Sequence, residues 1–154
     1  ISSTEVQNII MIINIILSTW IAIGLYYKSK RDVEESALYS ELLEIQRFSF
    51  YDPFLEDKNY TQQWDTLKEK YEKNELNGEE LNKFLKYDAF TEIIFNFLYK
   101  SFRFYKSEKK LLEFVDFESW LDTHKKCWKN PIQAHSNRKV YGQKMFNMVE
   151  NWLK

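Results

Sequence analysis

An uncharged stretch near the N-terminus, Val6 to Tyr27, constrains this chain more than any other feature. Fifteen of the 19 residues from Ile9 to Tyr27 are apolar. At about 1.5 Å per helical residue, such a stretch reaches roughly 30 Å, the thickness of the hydrocarbon core of a bilayer. A core helix of a small soluble protein would instead carry a polar stripe at 3.6-residue spacing. The stretch therefore predicts a transmembrane helix, with a buried core helix or a cleaved signal peptide as the alternatives.

Basic residues flank this stretch on one side only. The N-terminal flank holds Glu5 and no basic residue. Aromatic rings at a membrane interface followed by basic residues are typical of the cytoplasmic end of a span. The predicted juxtamembrane anchor consists of Tyr26, Tyr27, Lys28, Lys30 and Arg31. A signal peptide would carry its basic residues ahead of the apolar run. The prediction is a single-pass protein of the cell inner membrane, with its C-terminal domain in the cytoplasm.

Three polar or small residues lie on one side of the predicted span: Asn14, Ser18 and Ala22. An amide in hydrocarbon gains from finding a partner, and small neighbours let a second helix approach closely. These residues are therefore the candidate face for self-association or for a partner helix in a membrane complex. The alternative is that Asn14 is tolerated without any partner. No residue of the stretch is ionisable apart from its terminal tyrosines, which disfavours a proton relay.

Composition changes sharply after the stretch, because 44 of the 45 charged residues follow Tyr27. Those residues comprise 22 basic and 22 acidic side chains, so no strong field for nucleic acid is expected. Abundant aromatic residues with only three glycines and two prolines favour long helices. The chain is predicted to be all-α, with a transmembrane anchor over residues 1–27 and a helical cytoplasmic domain over residues 28–154.

Periodicity within the polar part predicts a bundle of four or five helices. The helix that leaves the membrane should continue to about Phe50, because Leu38, Leu42, Ile45 and Ser49 share a face, and Pro53 should end it. Asp52 and Asp116 are candidate N-caps. The further predicted helices run over Trp64–Tyr71, Glu79–Tyr105 and Asp116–Trp128, and after Pro131 in a helix with Val140, Tyr141, Met145, Met148, Val149 and Trp152 on one face.

A metal site on His124, Cys127 and His135 is disfavoured, because zinc needs a fourth ligand and the chain has no second cysteine. The simpler interpretation of His124 is an imidazole packed between aromatic rings. Nucleotide-binding and nucleophile motifs are absent from the sequence. No metal and no cofactor are therefore predicted, and a non-enzymatic role is favoured.

Two further groups carry alternatives. Asp88 and Glu92 lie on successive turns of the aromatic helix, where two carboxylates that meet in a core could serve as general acid or base. The ordinary interpretation is a salt bridge to Arg103 or Arg138. The segment "HSNRKVYGQK" is a candidate phosphate-facing cluster, and the ordinary interpretation of it is the solvated side of a helix. Its residues are Arg138, Lys139, Tyr141 and Lys144.

Four segments carry a resemblance: "SALYSELLEIQRFSFYDPFLED", "YDAFTEIIFNFLYKSFRFY", "FESWLDTHKKCWKNPIQ" and "YGQKMFNMVENWL". Together with the N-terminal stretch they resemble a family of uncharacterised bacterial single-pass membrane proteins with a small helical cytoplasmic domain. The resemblance implies no activity and no functional residues. By architecture alone, proteins of this layout resemble membrane effectors of bacterial antiviral or toxin systems.

The sequence thus predicts a membrane-anchored interaction or effector module that acts by oligomerisation of its span. Its expected partners are membrane lipid and either further copies of itself or another protein of a membrane complex. A structural subunit of a larger membrane complex and an enzyme that uses buried carboxylates are the alternatives.

Overall fold

The computed structural model describes residues 3–133 and 137–154, and all regular structure in these ranges is helical. The all-α prediction is therefore confirmed for the described residues. The chain divides into two compact units, Ile1–Tyr39 and Ser40–Lys154. The helices, with one 3₁₀ turn between the first two, are α1 (Ser3–Tyr51), the 3₁₀ turn (Pro53–Glu56), α2 (Lys58–Thr61), α3 (Trp64–Glu72), α4 (Gly78–Tyr105), α5 (Glu108–Phe114), α6 (Phe117–Lys129) and α7 (Asn137–Trp152).

The described part of the first unit is helical, and its apolar side chains from Val6 to Val33 are exposed. An 18-residue window of α1 has a mean hydropathy of 2.2, and none of this window is buried. By length and composition α1 is therefore a candidate membrane span, and no other helix of the described residues passes the same test. The alternative of a core helix buried within its own chain does not match this exposure.

The second unit is built around α4, whose buried side chains recur every three or four residues. Phe84 stacks on Trp64 of α3, Phe97 packs against Phe117 of α6, and Phe95 meets Trp128 edge to face. Burial of aromatic rings at this density supplies most of the favourable free energy of a small domain. The predicted central aromatic helix over Glu79–Tyr105 is confirmed with a start one residue earlier.

The C-terminal end of α1 belongs to the second unit. The predicted continuation of the helix to about Phe50 is confirmed, and Ile45 is only 1% exposed. Glu41 of this end accepts from Lys100 Nζ of α4 at 2.8 Å. Asp52 occupies the predicted N-cap position of the 3₁₀ turn, but its carboxylate makes no cap hydrogen bond and instead accepts one from Lys86 Nζ at 3.0 Å.

The last two helices follow the prediction in part. Asp116 caps α6, and its carboxylate accepts from the Ser119 backbone N–H at 3.2 Å. Helix α7 contains a kink at Gly142, where φ is 79° and ψ is 161°, a conformation that glycine adopts without steric cost. The kink breaks the single apolar face that was predicted: Met145 and Val149 beyond it are buried, whereas Val140 before it is 51% exposed.

Candidate functional site

Within the first unit, three polar side chains lie on the same side of the apolar helix. Gln7, Asn14 and Ser18 line a shallow groove on α1 together with the apolar side chains of Ile10, Met11 and Ile15. Thr19 lies at the edge of this groove, and its hydroxyl donates a hydrogen bond to the Ile15 carbonyl of the same helix at 2.8 Å. Among the described residues, no hydrogen-bond partner exists for the side chains of Gln7, Asn14 and Ser18.

The groove differs from the predicted association face in two residues. Asn14 and Ser18 of that face line the groove, Ala22 does not, and Gln7 is a lining residue that sequence reasoning missed. A signal for Gln7 was present, because it lies seven residues before Asn14 and residues spaced by seven share one side of a helix. We call Gln7, Asn14 and Ser18 the polar groove of α1.

The predicted juxtamembrane anchor follows directly on the same helix. The rings of Tyr26 and Tyr27 meet edge to face with centroids 5.6 Å apart, and both side chains are exposed. Lys28, Lys30 and Arg31 are exposed as well. The anchor prediction requires this exposure of the rings and of the basic side chains.

The second unit contains a cavity of about 210 Å³ between α4, the end of α6 and the start of α7. The two carboxylates singled out in the sequence, Asp88 and Glu92, both line it, and Asp88 is half-buried while Glu92 is exposed. Neither carboxylate forms an ion pair with any residue of the described ranges, Arg103 included. The side chain of Arg138, the other predicted partner, lies outside what the structure describes.

Burial and charge together perturb the ionisable groups of this cavity. Burial, with the nearby Glu92 carboxylate as a smaller cause, raises the pKa of Asp88 from 3.8 to about 6. Burial raises the pKa of the Cys127 thiol to about 12, partly offset by its hydrogen bond with Thr91, and also raises the pKa of Tyr141 to about 12. Near pH 6 the cavity therefore holds one carboxyl group at its titration midpoint, beside two groups that stay protonated.

This perturbation predicts a pH-dependent effect of replacing Asp88 with asparagine. A raised folded-state pKa means that the protonated form stabilises the fold fully below pH 4, and that this stabilisation is lost as the pH rises through 6. Asparagine cannot ionise, so Asp88→Asn should gain stability relative to the wild type between these limits. Because Asp88 is half-exposed, solvent screening reduces the gain to on the order of 1 kcal/mol.

Urea unfolding of the two full-length chains in mild detergent at pH 4, 6 and 8 measures this difference. The Glu113→Gln chain is the matched control, because Glu113 is an exposed helical carboxylate that faces Lys109 at 3.8 Å. A difference between Asp88→Asn and wild type that stays constant from pH 4 to 8 would contradict the raised pKa.

A buried histidine lies elsewhere in the second unit. His124 is fully buried, its Nδ1 lies 2.9 Å from Tyr87 Oη, and its Nε2 lies 3.1 Å from Glu56 Oε2. The other oxygen of Glu56 accepts from Trp120 Nε1 at 2.7 Å. A carboxylate only accepts, so Nε2 carries a proton and Nδ1 accepts from the tyrosine hydroxyl in the neutral ring. We call these four residues the His124 network, and it ties the 3₁₀ turn to α4 and α6.

The His124 network bears on the disfavoured metal site. The rings of Tyr87 and Phe90 flank the imidazole, as the simpler interpretation of an imidazole between aromatics requires, although these neighbours come from α4. Cys127 directs its sulfur at Thr91 Oγ1, 3.0 Å away, and His135 lies outside the described residues. Among the described residues, no three potential ligands come together as a metal site.

The candidate phosphate-facing cluster is dispersed where the structure describes it. Tyr141 is buried, stacks on Trp128 and donates from its hydroxyl to Asn96 Oδ1 at 3.2 Å. Lys139 and Lys144 are exposed on the surface of α7. The aromatic ring therefore does not share a surface with these two cations.

Comparison with known proteins finds no match, either to a protein-family model, to a curated protein or to a solved structure. The resemblance to bacterial single-pass membrane proteins therefore stays a prediction, and the arguments for function come from the residues of the chain.

Proposed function

We propose that this protein is a single-pass inner-membrane protein that α1 anchors, with residues 28–154 in the cytoplasm as a non-enzymatic interaction module. The observation that carries the proposal is the exposure of the apolar window of α1, none of which is buried, while the second unit closes a core of its own. Apolar surface left in water costs about 25 cal/mol per Å². A bilayer removes that cost, and the length of the window matches the thickness of its hydrocarbon core.

The module acts by bringing copies or partners together at the membrane. In a bacterial antiviral or toxin system, assembly of the spans perturbs the bilayer once the cytoplasmic domain receives its trigger. A passive structural subunit of a larger membrane complex is the competing role. Expression of the chain alone separates the two, because an effector oligomerises or harms cells without help, whereas a subunit is inert or unstable.

Insertion is tested by placing charges on the side of α1 opposite to the polar groove. The double variant Ile13→Lys, Ile16→Lys should leave the membrane fraction, because each lysine near the centre of a span costs about 2.5–3.5 kcal/mol. The measurement is the share of full-length chain that stays in membranes after an alkaline wash. Val33→Lys is the control, because Val33 is an exposed residue that follows the basic anchor.

The orientation is read in the same cells from an epitope at the C-terminus. A cytoplasmic domain resists protease added to intact spheroplasts and is digested after their lysis. Release of the wild-type chain by the alkaline wash would refute membrane insertion, and digestion in intact spheroplasts would refute the orientation.

A second candidate function is an activity or ligand site in the cavity of the second unit. The observation that favours it is the pair of carboxylates without a described ion-pair partner, one of them with a pKa of about 6, a value suited to proton transfer near neutral pH. Native mass spectrometry of the wild-type chain and of Asp88→Asn tests it. A small molecule that is retained by the wild type and lost from the variant supports the site. If neither chain retains a small molecule, the site is not supported.

A further inference from the structure

The polar groove of α1 leaves two amides and a hydroxyl without a partner among the described residues: Asn14 and Ser18 lie inside the apolar run of Ile9–Tyr27, and Gln7 lies two residues before it. Gln7 and Asn14 lie seven residues apart, about 10 Å along the helix axis, on the same side. Water is absent from a bilayer core, so each unpaired amide there costs free energy until another polar group satisfies it. Asn14 lies inside the apolar run of Ile9–Tyr27, and the described residues supply no such group to its amide, so its partner comes from another molecule.

The residues around the groove follow a heptad pattern. Residues on either side of the helix recur in alternating steps of four and three, but only the groove side carries amides and a hydroxyl, and the opposite side is apolar throughout. The groove side comprises Gln7, Met11, Asn14, Ser18, Ile21 and Leu25; the opposite side comprises Ile9, Ile13, Ile16, Trp20, Ile23 and Tyr27. A 3.5-residue repeat keeps its side chains facing a neighbouring helix only if the two helices wind around each other with a left hand.

We propose that the polar groove binds the same groove of a second copy of this chain, in a parallel, in-register and left-handed helix pair. The inference rests on the proposed membrane insertion, and it names the partner of that span. The proposed association face contains Gln7 where the face predicted from the sequence contains Ala22. Its amides lie seven residues apart, whereas the residues of the earlier face are spaced by four.

The chemistry of the groove is self-complementary. A carboxamide donates from nitrogen and accepts at oxygen, so Asn14 can pair with Asn14 of a second copy, and Gln7 with its own counterpart. Every copy carries Lys28, Lys30 and Arg31 at the same end, so all copies cross the membrane in the same direction. Parallel spans place equal residues at equal depth, and only that arrangement brings each amide to an identical one.

Cysteine substitutions along α1, crosslinked in membranes with a short bis-maleimide, test the face. The native Cys127 is buried in the second unit, so the wild-type chain reports the background. We expect strong dimer bands from Met11→Cys, Ile21→Cys and Leu25→Cys. We expect weak bands from Ile13→Cys, Ile16→Cys and Ile23→Cys on the opposite side.

Two neighbouring positions separate the proposed pair from the face predicted by the sequence. In the left-handed pair, the two copies of residue 21 lie close together and the two copies of residue 22 lie farther apart. In a right-handed pair through Asn14, Ser18 and Ala22, the two copies of residue 22 lie closer than those of residue 21. Strong crosslinking of Ala22→Cys with weak crosslinking of Ile21→Cys would therefore overturn the heptad pair.

The amides are tested in the Leu25→Cys chain. Adding Asn14→Leu or Gln7→Leu should each lower the dimer association constant by about threefold to tenfold, which corresponds to about 0.6–1.4 kcal/mol and lies within the contribution of an interhelical hydrogen bond in a membrane. Ile16→Leu is the matched control and should leave the dimer fraction unchanged. Equal crosslinking with and without the amides would overturn the proposal.

Failure of the inference and failure of the proposed function look different. If the chain resists the alkaline wash but its crosslinks show no dependence on position, the span exists and the pair does not. If the chain leaves the membrane in that wash, the proposed membrane function fails, and this basis for the helix pair fails with it.

Discussion

Replacing Trp64 with alanine is expected to lower the free energy of unfolding by about 3–5 kcal/mol, because a fully buried indole is lost together with its hydrogen bond. Trp64 is 0% exposed, and its ring stacks on Phe84 with centroids 5.1 Å apart and meets Tyr87 edge to face. Its Nε1 donates to the backbone carbonyl of Asn130 at 2.8 Å, which connects α3 to the end of α6. Urea unfolding of the full-length chain in mild detergent, followed by circular dichroism, measures the loss.

The control Trp64→Phe separates packing from hydrogen bonding. Phenylalanine keeps most of the ring contact with Phe84 and lacks the N–H, while Asn130 is exposed and its carbonyl can turn to water. We expect this variant to lose about 1–2 kcal/mol. Equal losses from the alanine and phenylalanine variants would mean that the ring contacts contribute little.

The long helices were predictable because each shows its period over several turns. Apolar residues of α4 recur at helical spacing over 28 residues, and the structure buries Phe84, Phe95 and Leu98 as that spacing requires. Helix α6 was predictable down to its cap, since Asp116 precedes the first apolar residue of the helix. In both helices the local pattern, apolar spacing or a capping residue, agrees with the burial seen in the fold. Because of this agreement, the ends of these helices can be predicted from a single sequence.

Short elements were missed because they carry too few residues for a period. Helix α2 has four residues and α5 has seven, so neither completes two full turns. A cap at Ser107 was the one readable sign of α5, since its hydroxyl accepts from the Lys110 backbone N–H at 3.5 Å. Asp52 shows the opposite case: it lies at the predicted N-cap position, but its carboxylate bonds to the distant Lys86 and not to the turn.

Contacts between residues far apart in the sequence could not be predicted, for a physical reason. Tyr87 and His124 are 37 residues apart, and nothing in their local patterns specifies that the hydroxyl of one meets the ring of the other. The cavity was anticipated only in its two carboxylates, because Cys127 and Tyr141 reach it from other helices. The polar groove of α1, in contrast, lies within one helix, and Gln7 was readable from its seven-residue spacing.

The two proposals for this protein depend on different units and fail independently. The membrane anchor and its polar groove belong to the first unit, whereas the cavity with Asp88 belongs to the second. Loss of the helix pair would therefore leave the pH-dependent effect of Asp88 intact. Substitutions that unfold the second unit, in turn, should not release the chain from the membrane.

Replacing Glu56 with alanine is expected to lower the free energy of unfolding by about 2–4 kcal/mol, because one side chain serves two donors of the His124 network. Glu56 Oε1 accepts from Trp120 Nε1 at 2.7 Å, and Oε2 lies 3.1 Å from His124 Nε2. Alanine removes both acceptors and leaves the fully buried imidazole with an unsatisfied N–H. The same urea unfolding of the full-length chain measures the effect, here at pH 7.

The graded control is Glu56→Gln, because an amide keeps one oxygen and turns a donor toward the second N–H. Glutamine can therefore serve Trp120 or His124 but not both, and we expect it to lose about half of what alanine loses. Glu113→Ala should change stability by less than about 0.5 kcal/mol, since its ion pair with Lys109 is exposed and 3.8 Å long. If Glu56→Ala were no more harmful than Glu113→Ala, the His124 network would not hold the 3₁₀ turn against α4 and α6, and the burial of His124 would need another cause.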